Sequence, residues 1–174
     1  MLALAAAVTA GCTPAPAAPL DPFPPRPADI DIERVDPCAT LSPELKRELQ
    51  VGEGVAGTAP VDEMTTRACG WGNLLDGFNY TIQLIPQDAG RAVADPGTWV
   101  STVAGFGTVT QTERADTFPL CQVLVDVNDG QTIRIQVQTT DEQTDGAAYP
   151  VDEVCRRADR VAADAVQNAD RVVG

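Results

Sequence analysis

The chain has 174 residues, 44% of them apolar but only 5% aromatic, with 25 acidic side chains against 12 basic ones and a net charge of −13. That length holds one ordinary domain plus extras, and the charge argues against nucleic acid as a partner and against docking of a folded surface on anionic lipid. Histidine is absent, so no Ser-His-Asp or Cys-His pair and no imidazole zinc ligand exists; Ser42 and Ser101 are the only serines, and neither sits in a Gly-x-Ser-x-Gly elbow.

Leu2 to Val8 is a short apolar run followed by Thr9-Ala10-Gly11-Cys12. It is too short for a bilayer span, which needs roughly 20 residues. Small residues directly before a cysteine resemble a bacterial lipobox, with Thr9 standing where leucine is usual. An ordinary secretory signal whose cleavage site adjoins a cysteine is the plainer alternative. The positively charged segment expected ahead of Leu2 is missing, which points to a start codon placed too late. The lipobox reading also resolves the odd cysteine count. Cys12 takes the acyl chains, and Cys38, Cys69, Cys121 and Cys155 remain for two disulfides. Residues 1–11 are then a signal peptide and 12–34 a lipidated, proline-rich stalk, because seven of the residues from Thr13 to Pro27 are proline. Residues 35–174 form a single globular domain.

Ile30 to Val35 is expected as a short edge strand. Leu41-Ser42-Pro43-Glu44 marks a helix start: Ser42 caps, Pro43 takes the first position, and Glu44 meets the positive end of the dipole. Gly52 ends that helix. Gly52 to Gly57 matches the dinucleotide pattern G-x-G-x-x-G, but it follows a helix instead of a strand and carries Glu53 where phosphates would lie. It is expected to be a flexible loop.

Thr66 to Asn73 and Phe78 to Ile85 are expected strands. Phe78, Tyr80, Ile82 and Leu84 alternate with polar residues, and Pro86 stops the run. Trp71, two residues from Cys69, is expected in the core. Trp99 and Val103 fit a helix or a strand equally, and Thr108 to Thr112 fits a strand.

Cys121 to Thr139 forms the clearest hairpin. A three-residue loop, Asn128-Asp129-Gly130, places Gly130 at a left-handed position. Val125 then faces Ile133, Val123 faces Ile135, and Cys121 faces Val137. One face becomes wholly apolar, while Gln122, Asp126, Thr132, Arg134 and Gln136 line the other, interrupted by Leu124. The aspartates near this turn lack EF-hand spacing, and a turn needs the same residues. Thr140 to Ala147 is an acidic loop. The last helix carries Val151, Val154, Cys155, Ala158, Val161, Ala162, Ala165, Val166, Ala169 and Val172 at three/four spacing.

The order of landmarks resembles a known family. Cys12 after small residues, the proline-rich spacer, Asp36-Pro37-Cys38 before Leu41-Ser42-Pro43-Glu44, Cys69-Gly70-Trp71, then Cys121 and Cys155, is similar to the actinobacterial lipoproteins grouped as domain of unknown function 3558. The resemblance implies an envelope lipoprotein and supplies no catalytic residues.

The expected fold is α+β. An antiparallel sheet of four or five strands has an N-terminal and a long C-terminal helix packed on one face, leaving the polar face of the hairpin wet. Of the three possible disulfide pairings, placement favours Cys38–Cys69 and Cys121–Cys155. Cys121 opens the apolar hairpin face and Cys155 lies on the stripe of the helix covering it. No catalytic, cofactor-binding or metal-ligating residue is assigned. The function expected is that of a non-enzymatic binding or accessory protein of the cell envelope, held to the extracytoplasmic face of the membrane through Cys12, with an envelope protein or a small ligand as partner. The alternative is a small-ligand or lipid carrier with a pocket between helix and sheet, although the alanine-rich last helix favours tight packing there.

Overall fold

Pairing of Val125 with Ile133, Val123 with Ile135 and Cys121 with Val137 sets the centre of the molecule. The computed structural model describes residues 21–73, 77–113, 118–140 and 149–173. Strands β6 (Leu120–Asn128) and β7 (Gln131–Thr139) carry the hairpin. Gly130 takes a φ of 66°, a left-handed conformation that glycine adopts without steric cost. The predicted register holds through Asp126↔Thr132, but the last pair is Asn128↔Gln131. The extra residue is therefore Val127, within the strand, and the turn itself is Asp129-Gly130.

The sheet has seven antiparallel strands in the order β1-β2-β3-β7-β6-β5-β4. The other five are β1 (Val55–Val61), β2 (Met64–Asn73), β3 (Phe78–Ile85), β4 (Thr98–Val103) and β5 (Phe106–Glu113). The four or five strands expected from the sequence omit the edges. β1 lies in the stretch expected as a loop, and its residues are exposed or half-exposed, so neither face leaves an alternating apolar pattern. β4 settles the ambiguity at Trp99 in favour of a strand.

Helix α2 (Val151–Val173) covers one face. Val154, Ala158, Val161, Ala162, Ala165 and Val166 are fully buried against the equally buried Cys121, Val123, Val125, Ile133, Ile135 and Val137. Small side chains at three of these helix positions let the backbone lie close to the sheet. Cys121 and Cys155 are bonded, which staples the start of α2 to β6. Helix α1 (Pro43–Glu48) is shorter than the Gly52 stop implied, closing at Leu49 before Gln50 turns left-handed. Ser42 caps it by accepting from the Leu45 amide. Both the Ser42 amide and hydroxyl donate to Asp164, at 2.8 and 2.7 Å, locking α1 to α2. The second disulfide, Cys38–Cys69, ties the turn before α1 to β2. The bonds join residues 31 and 34 apart, which the chain-entropy account values at ~3–4 kcal/mol each. Trp71 is 4% exposed, in the core as expected.

The chain before residue 35 is not a free stalk from Asp21 onward. Phe23 is buried against Gly107 on the face away from α2, where a side chain on residue 107 would collide with the ring. The chain then rounds the end of the hairpin, and the Ile30 amide donates to the carbonyl of Val127 at 2.8 Å. The irregular residue in β6 thus offers a carbonyl that the N-terminal segment takes. Ile30, Ile32 and Val35 finish in the main core. Ile32–Arg34 is a single 3₁₀ turn capped by Asp31, replacing the expected edge strand.

Nor is the polar hairpin face fully wet. Gln122, Asp126 and Thr132 are 8%, 4% and 1% exposed. The connection from β3 to β4 crosses this face as a 3₁₀ segment (Ala89–Ala94). With Phe23 it makes a second small apolar cluster on Val109 and Leu124.

Gly54, within the glycine-rich stretch, sits where an added Cβ would strike the sulfur of Cys69 and lie 2.6 Å from the Trp71 ring, whereas Gly52 and Gly57 face open space. Overpacking at such a site costs about 1–3 kcal/mol. Urea unfolding should show Gly54→Ala destabilised by that amount, with Gly52→Ala and Gly57→Ala within about 0.5 kcal/mol of the parent. Equal effects at all three would refute a packing role for Gly54.

Candidate functional site

The last helix places Arg156, Arg157 and Arg160 within one turn of each other. In a chain of net charge −13 such a group stands apart. Together with Glu48, Leu49, Gln50, Asn73 and Glu153 they line an open cleft of about 470 Å³ between α2, the end of α1 and the end of β2. Arg157 lies over the Phe78 ring, 3.8 Å from its centre, and donates to the Tyr80 hydroxyl at 3.0 Å and to Glu153 at 3.4 Å. Stacking on an aromatic face while donating at the edges holds a guanidinium in one orientation. Arg160 is ion-paired with Glu48. Arg156 is exposed on the same rim.

Among the described residues the cleft is built from ion pairs. Of these residues, both carboxylates in the cleft are held by arginines, and no serine or cysteine thiol lines it. Three guanidiniums and two carboxylates of the described residues line the cleft. Among the described residues no group of three or more Cys, Asp or Glu converges as a metal site would require.

A second polar constellation fixes the entry of the chain. Arg26 donates to Asp126 at 2.8 Å, to Asp129 at 2.6 Å and to Asp29 at 3.0 Å. It clamps the N-terminal segment to the hairpin end. The bond to Asp126 is the main influence raising the Arg26 pKa above its ordinary value. Burial lifts the Asp126 carboxyl above its ordinary value of 3.8; Arg26 opposes that lift, while Asp88 and Asp21 add to it.

Of the site residues expected from sequence, Cys12 lies outside the described residues, as do residues 141–147 of the acidic loop. The bonded pairs Cys38–Cys69 and Cys121–Cys155 are those that placement along the chain favoured. Arg156, Arg157 and Arg160 fall between the apolar positions of the last helix, a spacing that marks a polar side and nothing more specific. The Arg26 clamp joins residues 100 apart in sequence and left no local signal.

The family model described as "Protein of unknown function (DUF3558)" matches residues 6–168. The chain belongs to the DUF3558 family. No curated protein and no solved structure matches it. In this DUF3558 chain the matched range covers the three arginines of the last helix, both disulfides and the Arg26 clamp.

The clamp has a pH signature. With its folded pKa raised, Asp126 contributes stability that is fully present below the ordinary value of 3.8 and is lost as pH rises through the raised value. Arg26 limits that loss by bonding the ionised form. Arg26→Gln should therefore lower stability by about 1.5–3 kcal/mol near pH 7, the range for a hydrogen bond to a charged group, and by much less near pH 3. Thermal melts of both proteins across that range test this, and a loss independent of pH would contradict it.

Proposed function

We propose that this DUF3558 chain is an extracytoplasmic lipoprotein, anchored to the cell membrane through acyl chains on Cys12 and acting without catalysis as a binding or accessory protein of the envelope, as in the actinobacterial lipoproteins it resembles. The arginine cleft is the observation that carries the binding role: a preset group of guanidiniums on an otherwise acidic protein, matched to an anionic partner. Two disulfides support an oxidising compartment. Among the described residues no helix is long and apolar enough to cross a membrane.

The clamp gives the tether a geometry. Eleven residue steps separate Cys12 from Phe23, the first buried residue among those described, a reach of at most about 40 Å. The hairpin end would then stay near the bilayer. The carrier alternative needs an apolar space between α2 and the sheet, and the fully buried Ala158, Ala162 and Ala165 favour close contact there instead.

Anchoring is tested by Cys12→Ser, which should leave the protein in the soluble fraction or unprocessed; fractionation and mobility identical to the parent would refute it. For the cleft, Arg156→Glu combined with Arg160→Glu should weaken binding of a hexaglutamate peptide at least tenfold, with the parent's affinity falling as salt rises. Absence of parent binding, or equal binding by the variant, would contradict the role given to the cleft.

A further inference from the structure

Arg134 on β7 points away from α2, onto the polar face crossed by the β3–β4 connection. Its guanidinium bonds Gln83, the residue opposite on β3. Gln83 is fully buried and is held in turn by Thr66 and by the carbonyl of Ala59 at 3.1 Å. The chain of amide and hydroxyl contacts orients the cation without neutralising it. Among the described residues no carboxylate forms an ion pair with Arg134, and its Nε is buried with no hydrogen-bond partner. Burial lowers its pKa from the ordinary value.

Arg134 is half-buried, and a partly desolvated charge without a counter-ion is costly, so proteins tend to pair such groups. Here 25 acidic residues were available to supply a partner within the chain, yet β3 presents a neutral glutamine. The side chain lines a cavity of about 290 Å³ beneath the crossover, together with Gln87, Thr132 and Arg91. Arg91 likewise forms no ion pair among the described residues and stands exposed at the rim. Asp62, Asp88 and Asp95 line the same cavity. Asp62 accepts from Gln87 at 3.2 Å and Asp88 caps the crossover by accepting from the Gly90 amide. One wall therefore carries the half-buried Arg134, while the rim is mostly anionic. A phosphate dianion would meet that rim unfavourably. A molecule bearing both charges meets each wall with its complement, and the volume suits something small.

We propose that the cavity beneath the β3–β4 connection binds a small zwitterion of the amino-acid or short-peptide class, its carboxylate on Arg134 and its ammonium among Asp62, Asp88 and Asp95. The carboxylate supplies the counter-ion that the Arg134 guanidinium lacks among the described residues. The site lies apart from the arginine cleft and from Cys12, so it stands or falls separately from the anchoring and cleft readings.

Nuclear magnetic resonance titration of the intact folded protein with alanyl-alanine tests it. The Arg134 Nε–H resonance and the Gln87 and Arg91 amides should shift saturably, and N-acetyl-alanyl-alanine should bind at least tenfold more weakly. Arg134→Gln should abolish the saturable response. Arg91→Gln, a rim change that leaves the core untouched, should weaken it several-fold and guards against a folding defect in the first variant. No saturable shift with the dipeptide, undiminished binding by Arg134→Gln, or inorganic phosphate binding as tightly as the dipeptide would each overturn the proposal.

Discussion

Everything in this molecule depends on which way the β6–β7 hairpin faces. Side chains alternate along a strand, so a one-residue slip would exchange the two faces completely. The observed register puts six fully buried apolar side chains on one side. At ~1.5–3 kcal/mol for each buried side chain, reversing that face would forfeit roughly 10 kcal/mol, comparable to the whole stability of a typical domain. The register also decides where β3 and β5 attach. β3 continues the apolar face with Phe78, Tyr80, Ile82 and Leu84, and α2 then has one surface on which to settle.

The same alternation makes the opposite face polar, and the chain uses that face for different work. Arg26 and Phe23 hold the incoming segment there, one by charge and one by insertion above Gly107. The β3–β4 connection crosses beside them and encloses Arg134. The apolar side is sealed by helix, sheet and two disulfides. The polar side and the helix margin keep open cavities, and these are lined by arginine in a protein dominated by acid. Charge is thus gathered around the surface cavities, with the interior devoted to packing.

Legibility in the sequence followed physical pattern. The hairpin, β3 and α2 were readable because each buries one face and so carries a period of two or of three to four. The disulfide pairing followed from those faces. β1 and β4 are edge strands, partnered on one side only, and Val55, Trp99 and Val100 remain exposed. No buried face imposes a pattern on such strands. The segment from Asp21 to Pro27 misled for another reason. Its prolines describe a chain without internal hydrogen bonds, which is true of a stalk and equally true of a strap whose contacts are all with distant residues. Phe23 and Arg26 decide between them, and their partners Gly107, Asp126 and Asp129 cannot be found by local reading. The sites were the least legible part. Arg134 counted in the sequence as one polar residue on a polar face; only the neutral Gln83 opposite, and the crossover above, make its charge unusual.

Native-state amide hydrogen exchange tests the central claim, that the hairpin and its neighbour form the last structure to open. The account predicts that Val123, Val125, Ile133, Ile135 and Ile82 exchange slowest and together, near the free energy of global unfolding, with β1 and β4 opening earlier. If the edge strands or α1 retained their protons longest while Val125 and Ile133 exchanged early, the hairpin would not be the element on which the fold depends.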